Sequence, residues 1–165
     1  MSDSSIFKVP LGGKLGAGLF TIVDAEYEEF VSRYSWHVHC GYARTVFVNP
    51  SNKNKQKILK MHRLLMQAAI GMQVDHINGD KLDNRMSNLR IATHSQNAQN
   101  AAVRKDNTSG FKGVNFHKSV GKWHARIRCD GVRYFLGLYG TAEEASVAYQ
   151  AAALIHHGEY ARKIV

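Results

Sequence analysis

Residues 74–100, VDHINGDKLDNRMSNLRIATHSQNAQN, constrain the fold more than any other part of this chain. Residues 74–76 and 89–92 have strand character, and the turn signal Asn-Gly-Asp at 78–80 follows the first of them. Ser95 can then cap a short helix. Strand, polar loop, strand and helix therefore follow one another within one short unit, which predicts an α+β fold.

Four polar side chains of this unit have a spacing that suits a functional site. Asp75 and His76 end the first strand, Asn88 precedes the second strand, and Asn97 lies in the helix. Eleven residues separate His76 from Asn88, and eight separate Asn88 from Asn97. The order of the elements would let these side chains converge at one end of the unit.

This spacing resembles the ββα-metal motif of the His-Asn-His nucleases, especially the homing endonucleases of phages and introns. The resemblance implies that Asp75 and Asn97 bind one divalent metal ion, that His76 is the general base, and that Asn88 braces the loop as part of the catalytic group. The family often has histidine at its third position, where this chain has Asn97. His94, three residues earlier, is therefore an alternative metal ligand.

The residue types suit the hydrolysis of a phosphodiester bond. When water attacks the phosphorus, a neutral imidazole has to take a proton while a cation stabilises the charge on the phosphoryl and leaving 3′ oxygens. One carboxylate oxygen and one amide oxygen suit magnesium or manganese, whereas zinc would favour more imidazole or thiolate ligands. This chemistry predicts one divalent cation, magnesium or manganese, and the resemblance implies a homing-type DNA endonuclease.

Each of these residues also has a purely structural interpretation. Asp75, Asp80 and Asp83 could be turn residues, and a lone His76 would more often be a satisfied histidine than a base. The joint spacing in a basic chain favours the nuclease. A non-cleaving DNA-binding regulator with a decayed motif is the alternative, and the intact Asp75 and His76 argue against it. His62 matches a histidine that related endonucleases keep before the motif, and a structural role fits it equally well.

The part of the chain before this unit predicts strands and short helices of the same domain. We expect a strand at 19–23, a helix capped by Asp24, a hairpin over 36–48, a polar loop at 49–52, a strand near 57–59 and a helix over 62–70. Trp36 and Tyr42 are expected in the core. Core packing also suits His37, His39 and Cys40 better than a metal site, because a fourth ligand is missing.

A polar segment at 104–110 predicts a linker between two domains, 1–104 and 105–165, with the core of the second at 109–160. Apolar and basic side chains alternate over 123–129, as in a strand with one buried and one cationic face. Residues 132–138 repeat this scheme, with Leu138 on the apolar side. A helix over 141–157 would cover the sheet with a smooth face formed by Ala145, Ala148, Ala152 and Ile155. This predicts a three-stranded antiparallel sheet packed on one helix.

Residues 109–160 also resemble the Apetala-type domain of plant ethylene-response factors, through the segments 109–114, 121–123, 134–137 and 141–149. That family lays its sheet in the major groove of DNA. The resemblance implies DNA contact by seven residues, Lys112, Asn115, His117, Arg126, Arg128, Arg133 and Phe135. The plant target sequence does not transfer, because several of these positions differ. A solvated basic face is the bland alternative, and an RNA-binding module would need more exposed aromatic side chains for stacking.

The composition agrees with a nucleic-acid partner. Lys and Arg number 22 against 13 Asp and Glu, and the net charge of +9 in 165 residues favours a polyanion such as double-stranded DNA. No apolar run is long enough for a membrane span, and the start resembles no secretory signal. Cys40 and Cys129 form no CxxC pair, which favours a reducing cytoplasm. The resemblance to phage endonucleases implies the cytoplasm of a bacterial or phage-infected cell. We expect no membrane partner and no small-molecule cofactor. The oligomeric state stays open.

Overall fold

The computed structural model describes residues 5–48 and 56–162 and has the predicted α+β class. Contacts between Cα atoms divide the chain into two compact units, Met1–Thr93 and His94–Val165. They group residues 94–104 with the second unit, whereas the linker composition predicts a boundary after 104, and that boundary stays a prediction. No helix in the described part of the chain is long and apolar enough to cross a membrane.

Residues 5–48 and 56–93 of the first unit form three small antiparallel sheets and two short α-helices. The bounds are β1 Ile6–Pro10, β2 Phe20–Asp24, α1 Glu28–Ser32, β3 His37–His39, β4 Tyr42–Val48, β5 Gln56–Lys60, α2 Met61–Leu65, β6 Gln73–His76 and β7 Leu89–Ala92. One hairpin pairs β1 with β2, a three-stranded sheet has the order β3-β4-β5, and a second hairpin pairs β6 with β7. The predicted strands at 19–23 and 57–59 correspond to β2 and β5 and are confirmed.

The core of this unit forms where the inward faces of the strands meet the two helices. Val23, Val31, Trp36 and Met61 are among its buried side chains. Trp36 donates its indole Nε1–H to the carbonyl of Val31 at 2.8 Å, which satisfies the one polar atom of a buried tryptophan. The prediction that Trp36 is a core residue is therefore confirmed.

The helix predicted over 62–70 is too long. Helix α2 ends at Leu65, and Gln67 has a φ of +46°, a left-handed conformation that cannot continue a helix. The guanidinium of Arg63 donates to the carbonyls of Ala68 (3.2 Å) and Met72 (2.7 Å) in the loop that follows. These bonds satisfy loop carbonyls that a longer helix would have satisfied internally.

Two other expectations for the first unit are wrong. Asp24 does not cap its own helix with its side chain, because its Oδ2 accepts a bond from the backbone N–H of Met86 at 2.7 Å instead. His37, His39 and Cys40 are exposed rather than part of the core, since β3 is an edge strand and Cys40 lies in the turn after it. The polar loop predicted at 49–52 lies outside the described residues.

The second unit contains a helix followed by a three-stranded sheet and a longer helix. Its elements are α3 His94–Asn100, β8 Val114–His117, β9 Lys122–Cys129, β10 Val132–Tyr139 and α4 Ala142–His157, and the antiparallel sheet has the order β10-β9-β8. Helix α4 begins with the predicted capping box, in which the side chains of Thr141 and Glu144 each bond the backbone N–H of the other. The alternation predicted for 123–129 is confirmed, because Ala125 and Ile127 are buried while Arg126 and Arg128 are exposed.

Two details of this unit correct the sequence analysis. The pairing of β9 with β10 shifts between Phe135 and Gly137, so that Leu138 pairs with His124 and lies on the open face of the sheet rather than the apolar one. Ile155 of α4 is exposed as well. The predicted Ala145 and Ala152 do pack on the sheet, together with Ala142, Tyr149 and Ala153 of the same helix.

Candidate active site

The hairpin of β6 and β7 positions the first two predicted site residues. The register sets Asp75 opposite Arg90 and His76 opposite Leu89. Asp75 and His76 are both buried, although they are polar. Buried polar groups need partners, and the rest of the first unit supplies them.

Asp75 forms an ion pair with the arginine across the hairpin. Arg90 donates from Nε at 2.9 Å and from Nη2 at 2.6 Å to Oδ2 of Asp75. The two side chains are only 6% (Asp75) and 12% (Arg90) exposed, so that water screens this pair weakly. A carboxylate has about four acceptor positions on its two oxygens, and Arg90 and a cation can therefore share it.

Asn88 braces the loop between the two strands, as the resemblance to the His-Asn-His nucleases implies. Its Oδ1 accepts a bond from the backbone N–H of Asn78 at 2.9 Å, and its Nδ2 donates to the carbonyl of Asp83 at 2.8 Å. One amide side chain thus ties the beginning of the loop to its end. Its role in catalysis stays a prediction.

Asp83 is a second anchor of the loop. Arg85 donates from Nε to Oδ1 of Asp83 at 2.8 Å and from Nη2 to Oδ2 at 2.7 Å, and Asn78 donates to Oδ2 at 2.9 Å. The hydrogen bonds from Arg85 lower the pKa of Asp83 below its usual value, although burial opposes them. Asp83 therefore does more than cap a turn, whereas Asp80 does cap one by accepting from the N–H of Leu82 at 2.9 Å.

His76 faces a buried amide. Its Nε2 lies 3.2 Å from Oδ1 of Asn84, and Nδ2 of Asn84 donates to Oγ1 of Thr21 at 2.7 Å. Burial lowers the pKa of His76, and this effect outweighs the hydrogen bond with Asn84 and the nearby carboxylates, Asp75 first, which raise it. A neutral imidazole at neutral pH is the form that can accept a proton.

A second histidine and a tyrosine pack against His76. The ring centroids of His62 and His76 are 5.0 Å apart, and Tyr42 lies 5.1 Å from His62 and 6.0 Å from His76. Burial, together with the smaller effects of the neighbouring His76, Lys60 and Arg63, lowers the pKa of His62 to about 3. His62 is therefore a neutral packing partner and not a cation for a phosphate.

Two lysines lie over the ring of Tyr42. Nζ of Lys60 is 4.7 Å and Nζ of Lys81 is 4.4 Å from the centroid of that ring. Both lysines are exposed, and Tyr42 is half-buried beside His76 rather than deep in the core. Two positive charges therefore lie over the ring that packs against the buried imidazole of His76.

The remaining motif residue, Asn97, and the alternative ligand His94 lie in the second unit. Asn97 and His94 are both in α3, and Asn97 is half-buried whereas His94 is exposed. Among residues 5–48 and 56–162, no group of three or more His, Cys, Asp or Glu side chains could hold a metal ion. The predicted ligands, a carboxylate and an amide oxygen, nevertheless suit a hard divalent cation.

The open face of the second sheet holds six of the seven residues predicted to contact DNA. The register of β8, β9 and β10 and the alternation along each strand set these six on the side away from Ala125 and Ile127, namely Asn115, His117, Arg126, Arg128, Arg133 and Phe135. The guanidinium of Arg126 lies 6.0 Å from the ring centroid of Phe135. This face is cationic and carries an exposed aromatic ring.

Lys112, the seventh, has a different environment. Its ammonium donates to the carbonyls of Ala98 (3.0 Å), Gln99 (2.7 Å) and Ala101 (2.8 Å). These carbonyls belong to the last turn of α3 and the residue after it, where a cation is stabilised by the helix dipole. A contact between Lys112 and DNA stays a prediction, and it would have to share the ammonium with this helix end.

Sequence reasoning missed several contributors to the site. Asn84 contacts His76, and Arg90 contacts Asp75. Thr21 reaches His76 through Asn84. None of these three residues is among the four predicted motif residues. One signal was available for Thr21, since it alternates with the buried Val23 in β2 and is therefore a polar residue on an inward face.

Comparison with known proteins relates the motif and most of the chain to nucleases. The family model described as HNH endonuclease matches residues 60–99, which include all four motif residues. Protein 3.8 of Escherichia phage T7 is 30% identical over 92 residues, which make up 56% of this chain and 75% of that protein. An uncharacterized HNH endonuclease of Acanthamoeba polyphaga mimivirus is 31% identical over 166 residues, 96% of this chain and 81% of that protein.

A partial similarity to plant proteins accompanies these matches. An AP2-like ethylene-responsive transcription factor of Arabidopsis thaliana is 46% identical over 52 residues, which make up 30% of this chain and 15% of that factor. No solved structure matches the chain at a significant level.

Proposed function

The chain belongs to the HNH endonuclease family, and from this premise we propose that it is a homing-type DNA endonuclease with His76 as its general base. The main support is the buried His76, whose pKa is lowered by desolvation and which follows the carboxylate Asp75 directly in β6. A lone histidine would be weak support. Its position in this hairpin, with Asn88 bracing the loop, makes it strong.

The proposed reaction is hydrolysis of a phosphodiester bond. His76 takes a proton from the attacking water, and its neutral form at neutral pH makes it competent for that step. Asn88 keeps the loop in place through Asn78 and Asp83, so that the imidazole keeps its position during the reaction. Lys60 and Lys81 add positive charge at the point where the scissile strand would approach.

Asp75 and Asn97 are the residues that we propose to hold one divalent cation, magnesium or manganese. When bound, such a cation would stabilise the negative charge on the phosphoryl and leaving oxygens. Arg90 neutralises part of the charge of Asp75 and keeps this carboxylate in place. His94 stays the alternative ligand in the same helix.

The second unit is proposed to hold the DNA duplex with the open face of its sheet. Arginines that alternate along paired strands can contact phosphates or base edges, and Phe135 adds an apolar contact. The partial similarity to an AP2-like factor supports this assignment. The factor's own target sequence is not proposed for this chain.

Incubation of the full chain with supercoiled plasmid DNA tests the function. We expect conversion to nicked or linear DNA in magnesium or manganese and no conversion in a chelator. His76→Ala serves as the control for a contaminating nuclease. Metal-dependent binding without any cleavage by the parent protein would instead identify a DNA-binding regulator.

A further inference from the structure

A chain of hydrogen bonds with a fixed direction leads from β2 to His76. The hydroxyl of Thr21 has one proton, and two acceptors lie near it, the carbonyl of Leu82 at 2.6 Å and the sulfur of Met61 at 4.0 Å. The carbonyl is much closer and the thioether is a weak acceptor, so that the proton points to Leu82. A carbonyl cannot donate, and this fixes the beginning of the chain.

The next group in the chain is the amide of Asn84. Because the Thr21 hydroxyl donates its only hydrogen bond to the carbonyl of Leu82, its oxygen has to accept the bond from Nδ2 of Asn84 at 2.7 Å. The reverse amide orientation would set two oxygens 2.7 Å apart with no proton between them. Oδ1 of Asn84 therefore faces Nε2 of His76, at 3.2 Å.

An acceptor opposite Nε2 selects one form of the neutral imidazole. A neutral histidine has a single N–H, and it has to be on Nε2 if that atom is to donate to Asn84. The lone pair is then on Nδ1. We propose that Asn84 and Thr21 are positioning residues that hold His76 in the Nε2–H tautomer, so that Nδ1 is the atom that takes the proton from water.

This inference rests on the proposed role of His76 and adds the atom and the residues that select it. Thr21, Asn84 and Met61 are at most 1% exposed, so that water cannot replace a missing partner. Backbone bonds hold the loop beside β2 independently of the side chains, since the N–H of Ile22 donates to Leu82 at 2.9 Å and the N–H of Asn84 donates to Ile22 at 2.8 Å. A change at the Thr21 hydroxyl should therefore alter the amide orientation without displacing the loop.

Thr21→Val tests the chain, because valine keeps the shape of threonine and removes only the hydroxyl. Asn84 loses the acceptor for Nδ2, can rotate, and no longer selects the tautomer of His76. We expect kcat for DNA cleavage to fall on the order of tenfold with KM unchanged, as for the loss of one hydrogen bond. Thr21→Ser keeps the hydroxyl and should restore kcat.

Nitrogen NMR of the full chain labelled with ¹⁵N-histidine reads the tautomer directly, without DNA or metal. Spectra at about pH 8, above the ordinary imidazole pKa of about 6.5, observe the neutral form, and a spectrum of His76→Gln identifies the His76 signals. We expect Nε2–H in the parent protein and in Thr21→Ser, and a mixture of tautomers in Thr21→Val. Thr45→Val, at another buried threonine of the first unit, is the matched control and should change neither the tautomer nor kcat.

A parent spectrum with the proton on Nδ1 would overturn the inference, whether or not any variant folds. The same holds if Thr21→Val keeps both the tautomer and kcat, or if Thr45→Val lowers kcat equally. Failure of the proposed function has a different signature, since the parent would then show the Nε2–H tautomer but cleave no DNA in magnesium or manganese.

Discussion

The functional candidates of the two units differ in their exposure to solvent. In the first unit, Thr21, Asp75, His76, Asn84 and Asn88 are all buried and hydrogen-bonded to one another or to nearby loop groups. In the second unit, the arginines of β9 and β10 are exposed on an open sheet face. Bond-breaking requires atoms held within a few tenths of an ångström, whereas contact with a flexible polyanion benefits from long, solvated side chains.

The cores of the two units differ in the size of their side chains. The first unit fills its core with large side chains such as Trp36 and Met61, and the sulfur of Met61 lies 4.0 Å from the hydroxyl of Thr21. In the second unit, small alanines of α4 pack against one face of the sheet, and the other face is open. We therefore expect substitutions in the first unit to change chemistry or stability, and substitutions on the open face of the second to change affinity.

The largest expected effect is that of His76→Ala on cleavage. Loss of a general base lowers the rate about 10²- to 10⁴-fold, while the affinity for DNA should stay within about twofold because the side chain is buried. Gel-shift binding and plasmid cleavage under single-turnover conditions measure the two quantities. His37→Ala, at an exposed histidine of the same unit, is the control and should change neither the cleavage rate nor the affinity for DNA. If His76→Ala loses DNA affinity as well as cleavage, the assignment of cleavage to the first unit and of DNA binding to the second is contradicted.

The next effect concerns the ion pair of Asp75 and Arg90. Arg90→Met leaves the buried carboxylate without its guanidinium and should lower the free energy of unfolding by about 3 kcal/mol. Arg33→Met is the matched control, because Arg33 forms a similar but exposed pair with Glu29 at 2.6 Å and should cost about 0.5 kcal/mol or less. Urea titrations followed by circular dichroism compare them, and equal losses would contradict the importance of burial.

The close packing of the second unit predicts a smaller loss of stability in Gly113→Ala. A Cβ at this position would overlap the ring of Tyr149 in α4, and the φ of +71° already disfavours any side chain, so that we expect about 2 to 3 kcal/mol. Gly131→Ala has a similar φ of +82° but open space around it and should cost only about 1 kcal/mol. Thermal unfolding of both variants separates packing from backbone strain, and equal costs would contradict the close approach of α4.

Local sequence predicted the elements of both units but not the contacts that complete the site. The hairpin and the basic alternation of β9 follow from spacing along the chain, because each joins neighbours in sequence. The loop brace of Asn88 is what the resemblance to the His-Asn-His nucleases implies. Thr21 and Asn84 lie 63 residues apart, and no local pattern can pair them. The left-handed Gln67 that ends α2 and the bulge that turns Leu138 outward are likewise set by tertiary packing rather than by propensity.

Single arginine substitutions on the open face test the second half of the comparison. Arg126→Ala, Arg128→Ala and Arg133→Ala should each weaken DNA binding about tenfold without unfolding the chain, since these side chains are exposed. An arginine that reads a base discriminates between target and unrelated duplex, whereas one that contacts phosphate weakens both equally and lowers the salt slope by about one. Arg33→Ala is the control, and three variants that bind like the parent at several salt concentrations would reduce this face to a solvated surface.

The smallest effect is the acid dependence that Asp83 contributes to the stability of the first unit. Arg85 lowers the pKa of Asp83 in the folded protein, so that the unfolded chain binds a proton more readily than the folded one. The stabilisation is therefore complete above the ordinary aspartate pKa of about 3.9 and is lost as the pH falls through the lower folded-state pKa.

Asp83→Asn should lower the thermal midpoint at neutral pH and flatten the decline of that midpoint below about pH 4 relative to the parent. Asp130→Asn, at an exposed aspartate of the second unit, is the matched control and should leave the midpoint at neutral pH unchanged, because an exposed carboxylate contributes little to stability. If the acid profile of Asp83→Asn matches that of the parent, the prediction is wrong. Arg85 would then stabilise the Asp83 carboxylate in the folded chain no more than water stabilises it in the unfolded chain.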